Sequence, residues 1–107
     1  MQFIRLNYLY RDYSNYKKNS STLFSNPNGV AIEEIELQLR KQLLDNTWFL
    51  HAQWNLPDLH FENTDWEQDH PYHEFENLEI AQATTEISIS TIEEFLRLIK
   101  KSNYSAP

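Results

Sequence analysis

The chain has 107 residues, with 9 Lys and Arg against 16 Asp and Glu, a formal net charge of −7. That length suits one domain, and an aromatic content of 14% argues for a packed globule over disorder. Without cysteine there is no disulfide framework, no thiol nucleophile and no Cys-ligated zinc. The longest apolar runs, such as Trp48-Phe49-Leu50, are far too short to cross a membrane, and the polar N-terminus lacks a secretory apolar core. A cytoplasmic protein is the expectation.

Charge is unevenly distributed. From Gln42 to Leu96 there are 12 acids and no Lys or Arg, whereas the remaining segments hold all nine basic residues and four acids, a net of +5. A continuous basic footprint for phosphate is missing, which disfavours nucleic acid. An acidic surface meeting a basic protein partner fits better.

The first strand reads over Phe3 to Tyr10, where Ile4, Leu6, Tyr8 and Tyr10 alternate with Arg5 and Asn7. Arg11 to Asn15 is a polar turn, and a second, antiparallel strand is expected over Tyr16 to Phe24, its polar middle marking a sheet edge. Asn26-Pro27-Asn28-Gly29 signals a turn before a helix over Ala31 to Leu44, with Ile32, Ile35, Leu39 and Leu43 on one face. Val30, Leu37 and Leu44 form a second stripe, a candidate homodimer seam if no other element covers it.

Trp48, Leu50, Ala52 and Trp54 alternate as a strand closed by Pro57, and Leu59-His60-Phe61 reads as a short extension. Glu62 to Pro71 reads as loop, Phe75 to Ala81 as a strand and Thr84 to Ile89 as a further one. Ser90 with Glu93, or Thr91 with Glu94, makes a capping box for a last helix whose apolar face is Ile92, Phe95, Leu96 and Ile99. The expected fold is α+β, a mainly antiparallel sheet of four to five strands with two helices packed on one face. A single domain spans residues 1–102, and 103–107 form a flexible tail.

Two polar segments carry candidate chemistry. Tyr10-Arg11-Asp12-Tyr13-Ser14-Asn15-Tyr16-Lys17-Lys18 combines aromatic rings and cations that could stack on a nucleotide or RNA, or simply close a hairpin. Asp69-His70-Pro71-Tyr72-His73-Glu74 offers metal ligands, with His70, His73 and Glu74 as the candidate set and His51, His60 or Asp12 as a further donor. Local geometry opposes that set, because Pro71 extends the backbone at His70, and on a regular strand His70 and His73 would point to opposite sides. Nucleotide and dinucleotide fingerprints and a nucleophile elbow are absent, so no cofactor is expected.

The segments Tyr10-Arg11-Asp12 with Asn15-Tyr16-Lys17, Phe49 through Pro57-Asp58-Leu59, and Asp69-His70 with His73-Glu74-Phe75 resemble a family of small bacterial proteins of uncharacterised function. That family carries YRDxxNYK-like and DHxWHEF-like segments, and the resemblance covers residues 3 to 76, with Tyr72 where Trp is expected. It implies a shared fold and one spatial cluster of Arg11, Asp12, Asn15, Lys17, Asp69, His70, His73 and Glu74, but no reaction. Tyr16 joins these as a binding or clasp candidate.

The function read from the sequence is a small acidic, non-enzymatic module that binds another protein, accessory or antitoxin-like, through aromatic anchors such as Trp54, Trp66 or Tyr72. The alternatives are a metal-dependent hydrolase or nuclease using His70, His73 and Glu74, and an RNA or nucleotide binder using the tyrosine hairpin.

Overall fold

A computed structural model describes residues 2–62, 64–65, 69–82 and 87–102. The strands are β1 (Phe3–Arg11), β2 (Lys17–Ser25), β3 (Trp48–Phe49), β4 (His73–Ala81) and β5 (Ser90–Thr91); the helices are α1 (Ile32–Arg40) and α2 (Ile92–Ile99). They form one five-stranded sheet in the order β3-β4-β1-β2-β5. The tail at 103–107, Trp66 and part of the strand expected over Thr84 to Ile89 fall outside the described residues.

The alternation in β1 makes it the central strand. Ile4, Leu6, Tyr8 and Tyr10 are fully buried and join Phe24, Ile35, Leu39, Ile92, Phe95, Leu96 and Ile99 in one core cluster. The opposite face carries Arg5, which donates to Ser21, and Asn7, which donates to Asn77 and Glu79. β1 pairs antiparallel with β2 and with β4. The outer pair corrects the antiparallel expectation: β2 and β5 run parallel, Phe24 opposite Ser90, so the sheet is mixed. Parallel neighbours need a long crossover, which the chain between Ser25 and Ser90 provides.

β4 begins at His73, two residues before the strand expected from the sequence, and contains a bulge. Asn7 faces Asn77 while Tyr8 faces Phe75, leaving Glu76 as the extra residue. One added residue reverses the inward parity, so His73 and Phe75 point into the core before the bulge and Leu78 after it.

The first helix stops at Arg40, four residues short of the expectation. Gln42 and Leu43 donate three residues back, to Leu39 and Arg40, and Leu44 N–H turns away to the Trp48 carbonyl, 2.8 Å. Asp45 and Asn46 follow in the left-handed region, φ 50° and 58°. Leu44 therefore lies beyond the helix, and Val30 packs against the core, so the Val30/Leu37/Leu44 stripe does not run along one exposed helical face. Leu37 alone of the three is exposed.

The strand expected over Trp48 to Trp54 survives only as Trp48–Phe49. The next residues coil: Trp54 and Leu56 N–H groups both donate to the His51 carbonyl, and Asn55 takes φ 57°. Trp54 is still buried, stacked on Phe49 at 4.4 Å, with its indole N–H on Ser102. Before α1, Gly29 at φ 62° closes a turn around the buried Asn26, whose amide bonds both backbone groups of Val30. Of the two capping boxes readable in the sequence, the Thr91/Glu94 pair caps α2, with Thr91 Oγ1 accepting the Glu94 N–H.

Candidate metal centre

The rings of His51, His60 and His73 gather in one place, brought from three separate segments, with the backbone carbonyl of His70 beside them. The His73 ring, on β4, is fully buried and lies 4.9 Å from the His51 ring and 5.2 Å from that of His60. Tyr10, reaching over from β1, sits 4.2 Å from His60 and 5.5 Å from His70. Asp58 enters from the coil between them, with its side chain half exposed.

One Asp58 oxygen, Oδ1, is the focus. It lies 2.5 Å from His60 Nδ1, 3.7 Å from His73 Nε2 and 3.8 Å from His51 Nε2. Ligand atoms of His51, Asp58 and His60 all fall within 4.8 Å of one another, the one such grouping among the described residues.

Backbone carbonyls select the ring tautomers. His51 Nδ1 faces the Leu56 carbonyl at 3.1 Å, and His60 Nε2 faces the His70 carbonyl at 3.1 Å. A carbonyl only accepts, so each of those nitrogens carries the proton. In a neutral ring the remaining nitrogen, Nε2 of His51 and Nδ1 of His60, then offers a lone pair toward Asp58. Lone pairs of His60 Nδ1 and Asp58 Oδ1 at 2.5 Å repel unless a positive charge lies between them. At this separation the charge is a proton; a metal ion at about 2.0–2.1 Å from each atom would need the two to move apart.

Burial alone would raise the Asp58 carboxyl. Hydrogen bonds from the His60 backbone and ring, with the charges of His60 and His51, outweigh burial and hold it below the usual carboxylate range. Asp58 is therefore ionised at neutral pH, as a ligand must be. His73 moves the other way for a base: burial, then the nearby His51 and His60, depress it to about 4, so it is neutral. Its Nε2 accepts the Leu59 N–H at 3.0 Å, while its buried Nδ1 faces the Pro71 carbonyl region without completing a hydrogen bond. Tyr10, pushed up to about 12 by burial and then by Asp69, Asp12 and Asp58, keeps its proton and donates to the His70 carbonyl.

The ligand set expected from the sequence is dispersed. His73 points into the core, and Glu74, next along the strand, faces the other side and bonds Arg11. His70 contributes its carbonyl, while its ring Nδ1 accepts the Tyr72 N–H. His51 and His60, further donors in the sequence reading, hold the central positions, and Asp58 lies outside the set that the sequence suggests. Asp58-Leu59-His60, two ligand types one residue apart beside Pro57, was the available signal.

The other sequence candidates form a separate clasp. Arg11 bonds Glu74 through Nε at 3.0 Å and Asn15 through Nη1 at 2.6 Å. Asp12 ties its own turn through the Tyr16 N–H, and Asn15 takes φ 70° there. Asp69 accepts the N–H groups of Tyr13 and Asp65, fastening the hairpin tip to the distant loop. Its carboxyl is lowered by the Tyr13 hydrogen bond first of all. Tyr13, Tyr16 and Lys17 project outward from this clasp.

Compared with family models, curated proteins and solved structures, the chain matches none. No helix among the described residues is long and apolar enough to cross a membrane.

Proposed function

We propose that this chain binds a divalent transition-metal ion, zinc(II) by ligand chemistry, through His51 Nε2, Asp58 and His60 Nδ1, and uses it for hydrolysis. The observation that carries this reading is the pair of backbone carbonyls, of Leu56 and His70, that take the outer N–H of both rings. Metal-ligating histidines are commonly held this way, because the outer hydrogen bond fixes the tautomer and ring direction. Two imidazoles and a carboxylate suit zinc, and three protein ligands leave room for water and a substrate oxygen, the pattern of catalytic rather than structural sites. The half-exposed Asp58 gives solvent access on one side.

The test is calorimetric titration of chelator-treated protein with zinc(II), followed by cobalt(II) absorption to report coordination. One equivalent should bind in the parent protein and in His70→Ala, whose ring is not a ligand here, and binding should be lost in His51→Ala and His60→Ala. No heat in the parent protein would leave the centre as a proton-bridged Asp58–His60 pair with a purely structural role.

Docking of another protein is the second reading. It draws on a groove lined by Ile32, Leu37 and Leu78 and edged by Glu33, Glu36 and Arg40, where Leu37 is exposed. Arg40 pairs with Glu36 on that rim, so the apolar floor is what suits an amphipathic partner, whose capture should be lost in Leu37→Glu.

A further inference from the structure

One side of β4 is open along most of its length. β3 pairs with it only at His73 and Glu74, opposite Phe49 and Trp48, and the Phe75 N–H goes to the Thr47 carbonyl. From Glu76 to Ala81 no strand joins that side among the described residues, and Glu76, Asn77, Glu79 and Ile80 are all exposed. A bare strand edge presents unpaired N–H and C=O groups, which proteins usually guard with Lys, Pro or a covering element. This stretch, Glu-Asn-Leu-Glu-Ile-Ala, holds neither Lys nor Pro, and its bulge lies at one end, at Glu76. The far edge of the sheet is guarded: β2 starts with Lys17 and Lys18 and ends beside β5.

The two faces of the open stretch differ in chemistry. Leu78 and Ile80 stand opposite the buried Leu6 and Ile4, so they point to the side where Ile35 and Leu39 of α1 pack. There Leu78, Ile32 and Leu37 line a groove of about 440 Å³, and Leu37 and Ile80 are 54% and 48% exposed. Asn77 and Glu79 point to the other side, where both accept from Asn7. Glu74 is paired with Arg11 and Glu36 with Arg40, but Glu76 and Glu79 have no ion pair among the described residues. Arg5, opposite Glu79 in register, donates to Ser21 on β2.

Resting on the docking reading above and not on the metal centre, we infer that β4 accepts an extended segment of another protein as an added strand, its residues alternately aliphatic and basic. Strand addition draws affinity from main-chain hydrogen bonds and specificity from pockets for alternate side chains. Side chains of the added strand alternate between faces. Aliphatic ones meet Leu37, Leu78 and Ile80, and basic ones meet the acidic side that Glu79 and Glu76 provide. A second copy pairing β4 on β4 would set Glu76 and Glu79 against their own kind, which like-charge repulsion opposes.

The probe is a short capped peptide alternating lysine and valine, titrated into isotope-labelled protein. Amide shifts should concentrate at Asn77 to Ala81, and binding should weaken as salt is raised. Two analogues are N-methylated, one at its lysines and the other at its valines. Successive amides of a strand point to opposite edges, so one analogue should lose about tenfold or more in affinity while the other keeps it. A peptide with glutamate for lysine should not bind. Leu37→Glu and Ile80→Lys, both at exposed positions, should weaken the parent peptide. Equal binding of both methylated analogues, lost in Leu37→Glu, overturns strand addition and retains groove docking. A glutamate peptide that binds as tightly as the lysine one overturns the basic assignment. No binding of the lysine peptide overturns strand addition outright. A basic amphipathic helical peptide then decides the groove: failure to bind, or binding unchanged in Leu37→Glu, removes the docking reading as well. Self-association in sedimentation that is lost in Ile80→Lys would assign the edge to a second copy and overturn the proposal.

Discussion

The Leu59 N–H donates to His73 Nε2 at 3.0 Å, and Leu59 stands between Asp58 and His60. A fully buried imidazole on β4 therefore holds the middle of the tripeptide that supplies two of the three proposed ligands. His73 acts as a positioning residue, because its accepting nitrogen is already occupied by the backbone it anchors.

Replacing that acceptor should be felt at the centre. His73→Leu removes the partner of a buried N–H, which costs about 1–3 kcal/mol of stability, and loosens the Asp58-Leu59-His60 segment. Zinc affinity measured by dye competition should fall about 10- to 100-fold, the usual effect of losing an outer-shell contact. His73→Gln, whose side-chain oxygen can accept the same N–H, should recover part of the affinity. Equal affinities in parent and both variants would show that the anchor has no bearing on the ligands.

The same histidine sets a pH dependence in metal-free protein. Its folded value is about 4 against 6.5 for the free side chain, so between those values the unfolded state binds more protons. Stability is full above about pH 6.5 and declines as pH falls toward 4, by about 3 kcal/mol from this group. Asp58 and Asp69, both lowered in the fold, add losses of the same sign at still lower pH. Urea unfolding at a series of pH values should show this slope, and His73→Leu should remove most of it between pH 6.5 and 4.

Arg11 and Glu74 contribute specificity to the clasp more than energy. Their side chains are 32% and 17% exposed, so solvent screens the pair. Arg11→Ala should cost about 1 kcal/mol or less. Its clearer signature should be faster amide exchange at Tyr13 and Asn15, since the hairpin turn loses a tether.

Leu39 is fully buried within the core cluster. Leu39→Ala should cost about 2–5 kcal/mol, the range for emptying a core leucine site. Leu37→Glu on the same helix but at an exposed position should change stability by no more than about 0.5 kcal/mol. A denaturation midpoint that moved equally in both would contradict the facing of α1.

Much of the fold was legible because it depends on local chemistry. Ile4, Leu6, Tyr8 and Tyr10 can all be buried only if β1 is extended, and Ile32, Ile35 and Leu39, spaced three and four apart, share a face only on a helix. The Gly29 turn is likewise settled by the residues themselves, whereas the sequence offers Ser90/Glu93 and Thr91/Glu94 equally for the α2 cap and the fold uses the second. The parallel pairing of β5 was not legible, since pairing direction depends on where the chain returns rather than on the two residues that pair. The coil after Phe49 was missed for a related reason. Trp48, Leu50, Ala52 and Trp54 alternate as a strand would, yet Trp54 reaches the core from a turn because Phe49 offers a ring to stack on.

The candidate centre divides along the same line. The sequence by itself determined that histidines and carboxylates were present; His73 and Glu74 face apart only because β4 starts at His73. Only the tertiary structure decided which of them meet. The bulge at Glu76 lets His73 and Leu78 both face inward, the coil at 51–56 turns the Leu56 carbonyl onto His51, and β1 brings Tyr10 against the carbonyl of His70. Each of these is a long-range or irregular contact, with no period in the chain to announce it. Asp58 and His60 therefore become a candidate site through the geometry of segments that are far from them in sequence.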